Sequence, residues 1–90
     1  MIKTIVTVIG MDKVGIIAKT STLLSEFNVN ILDINQTVMQ EYFTMVMLVD
    51  VAACNASFDE LKAALKRLGE EVGVTVHVQH ESIFQAMHRI

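Results

Sequence analysis

From Gly15 the apolar residues of this chain change their period from two to 3.6. Few features constrain a 90-residue chain more. Ile2 to Ile9, largely apolar and β-branched, reads as a strand, with apolar residues at odd and even positions alike, so both faces are covered and the strand is central. After Gly15, Ile16, Thr20, Leu23 and Phe27 fall at i, i+4, i+7 and i+11, with Ile17 and Leu24 beside them. Lys19, Thr22, Ser25 and Glu26 take the other side, which predicts an amphipathic helix. Asn28 can take the left-handed conformation that closes it. A strand therefore feeds a helix through a short loop with a glycine at each end. A helix start leaves backbone N–H groups unpaired at the positive end of the dipole, a natural seat for a small anion.

The rest of the chain repeats the strand and helix patterns. Asn30 to Met39 alternates Leu32, Ile34 and Val38 with Asp33, Asn35 and Thr37, a strand with one dry face. Gln40-Glu41-Tyr42 is a hairpin-length connection to a third strand, Phe43 to Val51, whose centre is apolar on both faces. Ala52 to Ala56 is a loop carrying Cys54. Ser57-Phe58-Asp59-Glu60 has the spacing of a capping box. Phe58, Leu61, Leu65, Leu68 and Val72 then mark a second helix that Gly73 stops, with Gly69 expected to fray its last turn. Val74, Val76 and Val78 alternate with Thr75, His77 and Gln79 in a fourth, edge strand. Ser82-Ile83-Phe84-Gln85 resembles another capping box, and Ile83, Phe84, Met87 and Ile90 predict a short terminal helix.

The order β-α-β-β-α-β over a single domain, residues 1–90, predicts an α+β fold. With right-handed crossovers it is the ferredoxin-like sandwich, a four-stranded antiparallel sheet with both helices on one face. Strands one and three should be central. The other sheet face would then be bare, with Ile or Val from strand one and Met or Val from strand three on it. An apolar content of 52% is more than so small a domain can hide, and association with a second chain is the simplest outlet.

On the residues alone the first loop has two readings. In one, Gly10 and Gly15 let the backbone approach a ligand, the N–H groups of Val14 to Ile17 hold a carboxylate, and Asp12 faces an ammonium group. In the other, Asp12 is an N-cap and the glycines serve the turn. His77 and His80, three apart in a strand, point to opposite faces, and with His88 they read as solvated rather than as zinc ligands. Met39, Met45 and Met47 on the hairpin divide between core and contact surface. Cys54 has no cationic cluster or partnered histidine to activate it.

The segment Gly10-Met11-Asp12-Lys13-Val14-Gly15-Ile16-Ile17 resembles the first loop of ACT domains, small ligand-binding regulatory modules. Asn30, in Val29-Asn30-Ile31, stands where that family often begins its second strand. The tracts 33–37 and 41–45 resemble single-domain ACT proteins related to glycine-cleavage regulators. The resemblance covers essentially the whole chain. It implies a regulatory, allosteric domain without catalysis or cofactor, binding an amino acid or related small carboxylate between two subunits. Gly10, Met11, Asp12, Val14, Gly15, Ile16 and Ile17 of one chain would supply backbone and a polar side chain, and Asn30 of the other an amide. Val14 stands where the family commonly has proline, and some amino-acid binders have asparagine at Asp12. The implied partners are a second copy, as a homodimer, and a regulatory protein. The alternative is a homo-oligomerisation or protein-interaction module with an empty loop.

Other functions fit the residues less well. A net charge of −3 with scattered Lys and Arg argues against nucleic acid. An RNA-binding sheet would need exposed aromatics on strands one and three, where only Phe43 occurs. An acyl-phosphate hydrolase on this fold wants an arginine in the first loop, but the arginines are Arg67 and Arg89. A metal carrier would want two cysteines there. No apolar run approaches the roughly 18 residues that span a bilayer. The lone thiol and the lack of a recognisable leader point to the cytoplasm.

Overall fold

The computed structural model describes residues 2–11 and 15–81. Its elements run β1 (Lys3–Gly10), α1 (Ile16–Glu26), β2 (Asn30–Met39), β3 (Tyr42–Asp50), α2 (Phe58–Val72) and β4 (Thr75–His80). The sheet is antiparallel, in the order β2-β3-β1-β4. The expected ferredoxin-like topology is therefore present, with β1 and β3 central. The terminal helix expected from Ser82 lies outside the described residues.

Sheet register explains the core. Val6 pairs with Met47 and Val78, and Val8 with Met45 and Val76, so these side chains share one face. They pack with Ile16 and Leu24 of α1 and Leu61 and Leu65 of α2. Met45 and Met47 are wholly buried, whereas Met39 at the hairpin is largely exposed. The opposite face carries Ile5 and Ile9 from β1 and Val46 and Leu48 from β3, so leucine takes a place where methionine or valine was expected.

β2 departs from simple alternation. Its register with β3 shifts between Ile31 and Asp33, leaving Leu32 as the extra residue of a β-bulge. Ile31 and Ile34, three apart, therefore both pack against the core, while Leu32 is exposed. Asp33 accepts the N–H of Ile34 at 2.9 Å beside the bulge.

Two glycines answer to space rather than to turns. A Cβ on Gly10 would drive into the side chain of Val74. A Cβ on Gly69 would lie 2.8 Å from the Val74 carbonyl oxygen and 2.9 Å from Val76 Cγ2. Gly69 does not fray α2: it is buried within the helix, and its carbonyl accepts the N–H groups of Gly73 and Val74 at 2.9 and 2.8 Å. The missing side chain lets α2 lie close against β4. α2 starts as its sequence predicts: Ser57 Oγ accepts the Glu60 N–H at 3.1 Å and donates to Glu60 Oε1 at 3.3 Å.

Candidate functional site

The two parts of the expected site lie at opposite ends of the sheet. Gly10 pairs with Phe43 at one end of β1, and Met11 follows it, exposed. At the other end Lys3 pairs with Asp50, which also pairs with Asn30. The seven steps from Lys3 to Gly10 span about 24 Å of extended chain. Asn30 and the loop of the same chain cannot touch one small ligand.

At the loop end, α1 begins after Gly15, which has no side chain to cap it. Gly15 holds the N-cap position at φ 78°, a left-handed conformation that glycine adopts without strain, and among the described residues no side chain bonds to the helix start. The first turn contains no acidic residue. The N–H groups of Ile16 and Ile17 therefore begin a helix whose first donors have no side-chain acceptor among the described residues, the arrangement that favours an anion. A Cβ on Gly15 would meet nothing within 4 Å, so torsion rather than space demands glycine there. Ile16 is buried and Ile17 half-buried against the core, which fixes the direction of the helix. Asp12 and Val14 lie outside the described residues.

At the other end Asn30 is exposed and lines an open groove of about 540 Å³ with Ser21, Ser25 and Asn28. Asn28, at φ 58°, turns the chain from α1 into β2 as expected, and its Nδ2 donates to the Ala53 carbonyl at 2.9 Å. Asn55 returns the favour, its Nδ2 donating to Glu26 O at 3.0 Å and its N–H to Phe27 O at 3.0 Å. These bonds satisfy carbonyls at the end of α1 and hold the Cys54 loop against it. Nearby, Asp50 Oδ1 accepts the N–H of Ile2 at 3.1 Å and of Ala52 at 3.0 Å. The Ala52 and then the Ile2 bond hold the Asp50 carboxyl below its ordinary pKa, because both favour the charged form. The sequence marked Asn28 as the helix stop and Ser25 as part of its polar side, but did not join them with Ser21 to Asn30; the spacing of the two serines on one flank of α1 was the available signal.

The histidines do not converge. His77 is exposed, while His80 is half-buried and stacks on Phe58, with ring centroids 4.2 Å apart and an interplanar angle of 22°. His80 is thus a packing residue rather than a solvated one. Among the described residues no group of three metal-ligating side chains comes together, and no helix is long and apolar enough to cross a membrane.

A family model of the ACT domain matches residues 3–79. The chain belongs to the ACT-domain family. A UPF0237 protein of Clostridium acetobutylicum is 53% identical over 88 residues, 98% of this chain and 99% of that one. The solved structure of an ACT domain protein from Streptococcus pneumoniae is 39% identical, with a TM-score of 0.81 over 97% of this chain and 98% of that one. A structure assigned to a glycine cleavage system transcriptional repressor has a TM-score of 0.73 at 21% identity, over 88% of this chain and 45% of that one, a likeness of fold alone. ACT domains are in general small regulatory ligand-binding domains, and this one carries their complete sheet and both helices.

Proposed function

We propose that this ACT domain binds an amino acid or a related small carboxylate at a junction of two copies. The observation that carries the reading is the separation of Asn30 from the first loop along one sheet. Among the described residues β2 is an edge strand, paired only with β3, and it is exposed over most of its length. Two copies joined through antiparallel β2 edges would form a continuous sheet. Such a join sets the Asn30 end of one β2 beside the Met39 end of the other, the end of the sheet that carries the loop. A two-fold axis makes two equivalent sites.

In each site the N–H groups at the start of α1 would hold the carboxylate. Gly10, Met11, Val14 and Gly15 would shape the loop, Asp12 would face the ammonium group, and Asn30 of the other copy would donate or accept through its amide. Regulation would follow by linkage: a ligand that favours the joined arrangement shifts the equilibrium towards it, and a protein partner reads the change. The unpaired Cys54 thiol accords with a reducing, cytoplasmic setting. A homo-oligomerisation module with an empty loop is the second reading, favoured because packing on Val74 already accounts for Gly10.

The test is a thermal-shift screen against the amino acids and small carboxylates, followed by calorimetry. A ligand at 100 times its Kd stabilises the native state by about 2.7 kcal/mol. Asp12→Ala and Asn30→Ala should each abolish the shift. Mixing the two variants should restore about a quarter of the sites, because half of the statistical dimers carry one intact junction. Failure of every compound to shift the melting temperature would sink the ligand reading. Failure of the mixture alone would move Asn30 out of the site.

A further inference from the structure

We infer that the β4 edge and the flank of α2 form a docking site for an extended, acidic segment of a partner protein, which adds to the sheet as a fifth strand. Among the described residues β4 pairs with β1 on one side only, and along Val74 to Val78 its other edge offers backbone N–H and C=O groups to a chain laid beside it. Between that edge and α2 runs a groove of about 420 Å³. Val74, Val76 and Val78 form its apolar floor, and Lys62, Lys66 and Glu70 its rim.

The rim is polarised along the groove. Gly69 in the last turns of α2 lies against Val74 and Val76, so the end of the helix sits by the start of β4 and the chain returns antiparallel. Lys62 and Lys66 therefore stand towards the Val78 end and Glu70 by Val74. Neither lysine side chain makes an ion pair or hydrogen bond among the described residues, and both residues are exposed. One helical turn separates them, a rise of about 6 Å along the axis. In an extended chain the side chains of residues i and i+2 share a face about 6.8 Å apart. Two carboxylates in the pattern Glu-x-Glu, on the helix side of an added strand, would meet both ammonium groups while its backbone bonds to β4. Glu70 discourages a third acidic residue further along and so helps set the register. The groove lies on the sheet edge away from β2, and the inference stands whether or not the first loop takes a ligand.

The test uses the full chain, isotopically labelled for solution NMR. The probe is the acetylated, amidated peptide Thr-Glu-Thr-Glu-Thr, titrated to millimolar concentration. Saturable shift changes confined to residues 74–80 and the facing flank of α2 are expected. The Lys62→Glu/Lys66→Glu variant should bind about tenfold more weakly, since both charge pairs become repulsive. A peptide N-methylated at alternate residues keeps its carboxylates but loses its donors, and it should not bind. Absence of saturable binding, changes that map to β2, or equal affinity in the charge-reversed variant would each overturn the proposal. Equal binding of the N-methylated peptide would overturn it as well. If glutarate alone gives the same pattern at the same affinity, the groove is a small-anion site and strand docking is wrong.

Discussion

The two edges of this sheet are built differently. β2 offers ten residues, and the flank of α1 beside it carries the small hydroxyls of Ser21 and Ser25. β4 offers six residues, and the flank of α2 beside it carries Lys62, Lys66 and Glu70. A long edge without lysine or proline, whose one charged residue is Asp33, can meet its own copy with little like-charge repulsion. A short edge flanked by Lys62 and Lys66 at one end and Glu70 at the other favours a partner whose charge is opposite to that of the lysines. Position in the sheet leaves both strands half-paired among the described residues; the charge on the neighbouring helix is what distinguishes the two edges.

The sharpest way to break this comparison is to put the β4 chemistry on β2. Asn35 lies near the middle of the strand, close to where a two-fold axis would cross it. Asn35→Lys should bring like charges together in the joined sheet and weaken self-association by several kcal/mol. Sedimentation of the variant against the parent protein measures this, and an unchanged association would remove the β2 edge from the interface.

Next in size are two substitutions beneath the edges. Gly69→Ala should destabilise the fold by about 1–3 kcal/mol, because the new methyl meets the Val74 carbonyl and Val76. Ser21→Ala, on the α1 side, should change stability by less than about 0.5 kcal/mol. Chemical denaturation reads both, and equal losses would mean that α2 is no more tightly seated than α1. The first loop gives a related contrast. Val74→Ala should recover part of the stability lost in Gly10→Ala. It should recover none of that lost in Gly15→Ala, where φ 78° rather than a neighbour opposes the side chain.

The smallest expected effect lies at the base of the β2 edge. The carboxyl of Asp50 titrates below its ordinary value in the folded chain, so it contributes stability above the unfolded pKa of about 3.9. That contribution is lost as pH falls through the lower, folded pKa. Asp50→Asn should flatten the acid limb of the stability profile while leaving association near neutral pH unchanged.

Much of this was legible in the residues. The boundaries of β2, the capping of α2 by Ser57 and the left-handed turn at Asn28 follow from alternation, box spacing and the tolerance of asparagine for positive φ. The central placing of β1 and β3 follows from their doubly apolar centres. The bulge at Leu32 was not legible, because a single extra residue leaves the local alternation looking regular and shows only when β3 fixes the register. Nor was the reason for Gly69, which depends on a strand arriving from outside the helix. The loop and Asn30 could be named from family likeness, but that they stand at opposite ends of one sheet follows only from the pairing of β1 and β2 with β3.

That separation bears on dose. If each pocket is completed by a neighbour, half-saturation has no single value: it falls as the protein itself becomes more abundant, and on dilution the receptor vanishes before its ligand leaves. Such a domain would report the product of two concentrations, the metabolite's and its own. A cell could then retune its threshold by expression alone, with no change to any residue that touches the ligand.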